Sequence, residues 1–295
     1  MDGLGNDFIV ADLRHHPAWS DVLAVPSVVH KLCDRHRGIG ADGVLAILGP
    51  ESPGAVAAMR VHNADGSLAE MCGNGLRCVA RFLVGQEPTR DSSSGRLTID
   101  TGAGALRCEL TRSSRGEVSA IEVDMGKPSI PTPGKVMLEL EPVSETLELS
   151  LVSMGNPHAV WFCDMAPSFE SLRVTAEKLG PLVEVHPYFP QRTNVEFVRV
   201  GARPDRLPYL EVVVWERGCG VTQACGTGAC AAVVAACRRG AVPFGQRCVV
   251  RLPGGELDVT LAPDQSAVLM RGPAETVFFG EIETSTIMAL DGAAQ

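Results

Sequence analysis

Two cysteines open closely similar turns in this chain. Met71-Cys72-Gly73-Asn74-Gly75 leads into an apolar stretch ending near Leu83, and Ala224-Cys225-Gly226-Thr227-Gly228 leads into Ala229 to Cys237. At a helix start, a Cys-Gly-x-Gly turn puts a thiol where unpaired backbone N–H groups converge. The positive end of the helix dipole favours negative charge there, so the thiol pKa is expected to fall from about 8.5. The glycines let a ligand approach the backbone closely, and the same N–H groups can hold a carboxylate. One such turn is an anion site with a reactive thiol. Two of them facing one carbon would supply an acid and a base on opposite faces, which is what inverting an α-carbon requires. The α-proton is weakly acidic, so the carbanion then needs hydrogen bonds to its carboxylate in a dry cleft. Thiols suit such proton traffic because their pKa can be tuned toward neutral pH.

Either cysteine alone is better read as packing, since free cysteines are commonly buried and inert. An internal echo changes that balance. Gly3-Leu4-Gly5-Asn6-Asp7 leads into Phe8-Ile9-Val10-Ala11, and Ser153-Met154-Gly155-Asn156-Pro157-His158 leads into Ala159-Val160-Trp161-Phe162. This pair and the two cysteine turns keep their order at nearly the same offset, so the pattern reads as a duplicated domain with a site shared between the halves. Cys78 and Cys230 fall inside the apolar stretches and read as core.

Composition narrows the alternatives. The chain has 295 residues, enough for two modest domains, and its 45% hydrophobic content supports a packed core. A net charge of -9 without a basic run disfavours nucleic acid and anionic membrane as partners. The apolar run Ala229 to Cys237 is too short to span a bilayer, and the N-terminus reads as no signal peptide, so a soluble cytoplasmic protein is expected. The ten cysteines contain no C-x-x-C pair and no matching histidine pair, so no metal site is expected. The four lysines, Lys31, Lys127, Lys135 and Lys178, sit in no Schiff-base setting, and no P-loop or dinucleotide fingerprint is present.

The elements that would carry the turns are mostly short strands: around Val10, Val44–Leu48, Met59–Val61, Leu97–Asp100, Leu106–Leu110, Ala120–Asp124, Ala159–Phe162, Val195–Val200 and Leu210–Trp215. Val249–Leu252 and Leu257–Leu261 read as hairpin arms around Pro253-Gly254-Gly255. Helices are expected at Val28–Arg37, Leu76–Val84, Ser171–Leu179 and Ala229–Arg239, the last ended by Gly240. The resulting expectation is an α+β fold of two pseudo-symmetric domains, each a curled, mainly antiparallel sheet around a central helix. One domain would comprise residues 1–117 with 272–295, and the other residues 118–271. Pro128–Gly134 reads as an irregular connection, Ser92–Gly95 as a loop tip and Asp291–Gln295 as a frayed tail.

At these residues the chain resembles the diaminopimelate epimerases. The resemblance spans nearly the whole chain through Gly3–Phe8, His62-Asn63-Ala64-Asp65-Gly66, Met71–Gly75, Met154–His158, Thr193-Asn194, Trp215-Glu216-Arg217-Gly218, Gln223–Gly228 and Leu252–Gly255. Proline racemases and hydroxyproline epimerases share a cysteine pair but usually differ around both turns. Phenazine-biosynthesis-like isomerases share the fold without the thiols. The resemblance implies a two-domain homodimeric enzyme, without cofactor, that interconverts LL- and meso-diaminopimelate between its domains for lysine and peptidoglycan synthesis. By position, Cys72 and Cys225 would be the acid–base pair, with His158 and Glu216 accepting protons or orienting the substrate ammonium. Gly73, Asn74, Gly226 and Thr227 would bind the reacting carboxylate, and Asn6, Asn63, Asn156, Asn194 and Arg217 the remaining polar ends. Three features depart from the family pattern: Asp2 stands where relatives carry histidine, Gly43 where some carry glutamine, and Met137–Leu151 is acidic without a functional account. The competing readings are an amino-acid racemase of other specificity, a redox protein that switches a Cys72–Cys225 disulfide, and a structural-zinc protein.

Overall fold

Alternating apolar residues become strands throughout, and the few helices lie against them. The computed structural model describes residues 1–69, 71–86 and 95–283. The chain divides into two units, Met1–Val123 with Pro273–Gln295, and Asp124–Gly272.

The first unit runs β1 (Asp2–Gly3), β2 (Asn6–Asp12), α1 (Trp19–Leu23), α2 (Pro26–Cys33), β3 (Gly43–Leu48), β4 (Ala57–Asn63) and β5 (Leu68–Ala69). It continues with α3 (Gly73–Gln86), β6 (Arg96–Thr101), β7 (Gly104–Arg112) and β8 (Val118–Asp124). Strand β2 pairs parallel with β3, β3 antiparallel with β4, and β4 parallel with β6; β6, β7 and β8 follow antiparallel. All of β3 is buried because a helix covers each face of the sheet. Val44, Ala46 and Leu48 pack on the α2 side with Val28, Val29 and Leu32, whereas Leu45 points to Gly75 of α3.

The second unit runs β9 (Lys135–Leu140), β10 (Glu145–Ser153), β11 (Pro157–Phe162), α4 (Phe169–Glu184), β12 (Asn194–Gly201), β13 (Tyr209–Glu216) and β14 (Gly220–Val221). It closes with α5 (Gly226–Arg239), β15 (Cys248–Leu252), β16 (Gly255–Leu261) and β17 (Val268–Gly272). Here β11 pairs parallel with β12, β12 antiparallel with β13, and β13 parallel with β15; β15, β16 and β17 follow antiparallel. The order of parallel and antiparallel pairings is the same as in the first unit. Duplication is therefore present in the hydrogen-bond topology as well as in the motifs. Helix α5 is almost wholly buried and touches β10 to β13 and β15 to β17, so this sheet curls around it. Leu172, Ala176, Leu179 and Val183 of α4 cover the other face, against Val195, Phe197 and Val213.

The expected strands form, and α5 ends at Gly240 in the left-handed region (φ 81°), as a C′ glycine should. Three elements differ from expectation. Helix α2 stops at Cys33 because Asp34 turns extended and its Oδ1 accepts the N–H groups of His36 and Arg37 (2.7 and 2.9 Å). That local turn competes with further helix. The short helix α1 had no clear sequence signal. The acidic stretch Met137–Leu151 is the β9–β10 hairpin, with Leu138, Leu140, Leu147 and Leu149 inward and the glutamates between them outward. Ser92–Ser94 and Asp291–Gln295 lie outside the described residues.

Candidate active site

In the first unit, Cys72 immediately precedes α3, and its Sγ accepts the Gly75 N–H (3.3 Å). Gly73 and Asn74 form the first turn of the helix. Asn74 Nδ2 donates to Asn6 Oδ1 (3.3 Å), and Arg77 Nη2 donates to Asn74 Oδ1 (2.9 Å). Arg77 is fully buried and also reaches the Pro273 carbonyl (3.0 Å), so a guanidinium braces the back of the turn. Asn63 stands exposed at the end of β4, with Nδ2 donating to Ser67 Oγ (2.9 Å).

In the second unit, Cys225 is the N-cap of α5, and its Sγ accepts the Gly228 N–H (3.3 Å). Thr227 Oγ1 lies 3.5 Å from Cys225 Sγ and accepts from Asn156 Nδ2 (3.4 Å). The pairs Asn6–Asn74 and Asn156–Thr227 are thus equivalent. His158 is buried, with Nδ1 2.6 Å from Glu196 Oε1 and Nε2 2.9 Å from Asn156 Oδ1. Glu216 accepts a hydrogen bond from Thr222 Oγ1 and is electrostatically coupled to the Cys225 thiol. Asn194 uses both ends of its amide on the backbone: Oδ1 accepts the Arg217 N–H (3.0 Å) and Nδ2 donates to the Pro157 carbonyl (3.0 Å). Arg217 is exposed and donates to the Gln191 carbonyl (3.2 Å). Behind this segment, Glu184 accepts from Trp215 Nε1 (2.7 Å) and Gly218 N–H (2.9 Å), which fixes the strand end that carries Glu216.

Strand register explains which side chains meet each cysteine turn. Paired residues share a sheet face, and alternate residues repeat it. In the second unit, His158 pairs with Asn194, level with Glu216, and Val160 pairs with Glu196, which faces Val214. All of these point toward α5. The same places in the first unit hold Phe8, Gly43 and Asn63, then Val10, Leu45 and Val61. A Cβ built on Gly75 would meet Leu45, and one built on Gly228 would meet Glu196 Oε1. The titratable cluster of His158, Glu196 and Glu216 is therefore a feature of the second unit, where it stands with the Cys225 turn, and the equivalent positions of the first unit hold Phe8, Leu45 and Asn63.

The electrostatics of Cys225 correct the expected fall in thiol pKa. Burial pushes its pKa well above the ordinary value, and the carboxyls of Glu216 and Glu196 push in the same direction. The Thr227 hydroxyl and the Gly228 N–H pull the other way without prevailing. These influences together favour the thiol form of Cys225. Burial also raises Glu216, against the opposing influence of Thr222 and Cys225.

A family model described as "Diaminopimelate epimerase" matches residues 1–131 and 150–277, passing over most of the acidic hairpin. The chain belongs to the diaminopimelate epimerase family. It is 42% identical over 292 residues to diaminopimelate epimerase of Synechocystis sp., covering 95% of this chain and 96% of that one. It is 43% identical to the Pelotomaculum thermopropionicum enzyme of the same name over 95% and 96% of the two chains. Among solved structures, a probable proline racemase from Agrobacterium radiobacter superposes with TM-score 0.66 at 18% identity, over 88% of this chain and 81% of that one. A hydroxyproline epimerase from Agrobacterium vitis gives TM-score 0.61 at 19% identity, over 88% and 79%. These two likenesses concern the fold. No helix among the described residues is long and apolar enough to cross a membrane.

Sequence reasoning named the two thiol turns, their asparagines, His158 and Glu216, without attaching the last two to either cysteine. It missed Glu196, Thr222, Glu184 and Arg77. The first three carry no local signal, because their roles arise from strand register and from contacts distant in sequence. Arg77 had one available signal: it lies four residues after Gly73, one turn into a helix that is otherwise apolar on its inner face.

Proposed function

We propose that this diaminopimelate epimerase family member converts LL- to meso-diaminopimelate without a cofactor, moving the α-proton with Cys72 and Cys225. The observation that carries the reading is the duplicated N-capping thiol, each sulfur accepting the N–H of the glycine three residues on. The reaction needs both thiols to reach one α-carbon from opposite faces. Taking Cys72 as thiolate, its sulfur removes the α-proton and becomes a thiol. The Cys225 thiol delivers its proton to the other face and becomes a thiolate. In the reverse direction the roles exchange: the Cys225 thiolate left by the forward turnover removes the α-proton and becomes a thiol, and the Cys72 thiol delivers its proton to the other face and becomes a thiolate. Protons balance, with one leaving carbon and one arriving.

Charge that builds on the α-carboxylate is met by N–H groups at Gly73–Asn74 and Gly226–Thr227, at the positive ends of α3 and α5. Asn6, Asn63, Asn156 and the Arg217 guanidinium hold the remaining polar groups, while Asn194 shapes the Arg217 backbone from behind. All ten cysteines are free, and a cytoplasmic setting would keep them so. The pathway is lysine and peptidoglycan synthesis. We also assign the working form as a homodimer. Val277, Phe278 and Phe279 stand 65%, 66% and 72% exposed in succession on the first unit, and such a strip favours burial against another copy. Sedimentation equilibrium of wild type and Phe278→Ser/Phe279→Ser tests this, with a dimer and a monomer expected respectively.

The catalytic reading is tested by incubating the reduced protein with LL-diaminopimelate, adding no pyridoxal phosphate or metal, and resolving the isomers by chiral chromatography. Meso product with wild type, and none with Cys72→Ala or Cys225→Ala, is expected. A folded wild type that leaves LL-diaminopimelate unchanged would overturn the substrate assignment, and conversion by either variant would overturn the pair.

A further inference from the structure

We infer that Glu196 is a positioning residue of the reaction, holding His158 in one orientation and one hydrogen-bonding state so that only its Nε2 faces the reacting groups. The inference rests on the epimerase reading above and goes beyond it.

Glu196 is an anomaly for its position. It is wholly buried in the middle of β12, on the face turned toward α5. The equivalent place in the first unit is Leu45, so the fold itself asks there for an apolar side chain. Its Oε2 is buried with no hydrogen-bond partner among the described residues. Burying a carboxyl in that state is costly, and packing alone would favour leucine. What Glu196 does make is one short contact, 2.6 Å from Oε1 to His158 Nδ1, between side chains that are both 0% exposed.

The hydrogen bonds define the protons. His158 Nε2 lies 2.9 Å from Asn156 Oδ1, an acceptor whose amide nitrogen is turned to Thr227. Nε2 therefore carries hydrogen. Nδ1 and Glu196 Oε1 are 2.6 Å apart, and one further proton lies between them. With that proton on either partner, the pair has no net charge, which suits a site that already holds Glu216 and Cys225. Those two are the titratable groups that face the pair, from β13 and from the start of α5. Removing the Glu196 carboxyl would leave His158 free to exchange its ring hydrogen between Nδ1 and Nε2 and to rotate. The donor at Nε2 would then be lost in part of the population.

The test uses the full-length protein with [15N]histidine labelling. The two ring nitrogens of His158 are assigned by comparison with His158→Asn. Wild type is expected to show the proton shared between His158 Nδ1 and Glu196 Oε1 far downfield. In Glu196→Gln that proton signal should disappear. Turnover should fall on the order of 10²-fold in kcat, the usual weight of one general acid–base group, with KM little changed. In a His158→Asn background, Glu196→Gln should add no further loss, since a residue that acts through another has nothing left to act on. Glu196→Leu, which copies the first unit, guards against misfolding: it is expected to fold at least as stably as wild type and to be as slow as Glu196→Gln. Unchanged His158 signals in Glu196→Gln, full activity in Glu196→Leu, or additive losses in the double variant would each overturn the inference. A wild type whose ring signals answer to Glu196 but which exchanges no α-proton would instead sink the epimerase reading.

Discussion

Adding one methyl group at Gly228 separates the two half-sites. A Cβ built there lies 3.0 Å from Glu196 Oε1, 3.0 Å from Val214 Cγ2 and 3.3 Å from Cys225 Sγ. All three neighbours are buried, so each must shift by a few tenths of an ångström inside a packed site. Overpacking of this kind costs about 1–3 kcal/mol, offset by the ~1 kcal/mol that alanine gains over glycine in a helix. The net loss of stability in Gly228→Ala is therefore about 0–2 kcal/mol, which urea unfolding can measure. The effect on activity is larger, because the displaced atoms include the sulfur and the acid behind it. Misplacement of a reacting group by about 1 Å costs on the order of 10²-fold, so a shift of tenths is expected to lower kcat roughly 10-fold. Gly75→Ala is the matched control. Its Cβ meets Leu45 Cδ2 at 2.8 Å, Leu45 Cδ1 at 3.3 Å and Cys72 Sγ at 3.4 Å. The tighter contact there is the tip of a leucine, which can rotate, and no acid group is touched. Gly75→Ala should cost similar stability and less activity. A Gly228→Ala enzyme with wild-type turnover, or a Gly75→Ala enzyme that is the slower of the two, would refute the claim that the acid cluster stands with the Cys225 turn.

Three further outcomes are expected. Burial pushes the Glu184 carboxyl up, but its bonds from Trp215, Gly218 and Arg192 together hold it below the ordinary value. Its stabilising effect is therefore present above the unfolded carboxylate pKa of about 4.3 and is lost as pH falls through the lowered folded value. Glu184→Gln should lose about 1–3 kcal/mol at neutral pH and show a shallower acid-side decline in unfolding curves. Thr222→Val removes the hydroxyl that favours the charged form of Glu216, so the pH–rate limb belonging to Glu216 should move to higher pH. Arg77→Met removes the buried hydrogen bonds to Asn74 Oδ1 and the Pro273 carbonyl; it should destabilise the protein by about 1–3 kcal/mol, seen as an earlier denaturant midpoint.

Much of this was legible in the residue pattern. Strands such as Val195–Val200 and Leu210–Trp215 announced themselves by β-branched and aromatic content. The Cys-Gly-x-Gly turns announced helix starts, because only glycine tolerates the close approach of Leu45 and Glu196 to those first turns. Other features depended on partners far away in sequence. Glu196 stands between Val195 and Phe197, where a period-two strand would turn an acid to solvent. The sheet is covered on both faces, so that acid lands beside His158 instead. The β9–β10 hairpin looked merely acidic, because its outward glutamates are interleaved with its inward leucines and only the strand pairing shows which face each takes. The fall in thiol pKa expected from the helix dipole was overridden at Cys225 by burial and two carboxyls, neither of which a linear reading can place.

The most direct test of two-thiol proton transfer is deuterium content during the first turnovers in D₂O, starting from LL-diaminopimelate. If one thiol removes the proton and the other supplies a different one, newly formed meso product carries deuterium at the inverted centre while unreacted LL substrate keeps its proton. Product that retains the original proton, or substrate that exchanges as fast as product forms, would mean that a single group works both faces and would contradict the account.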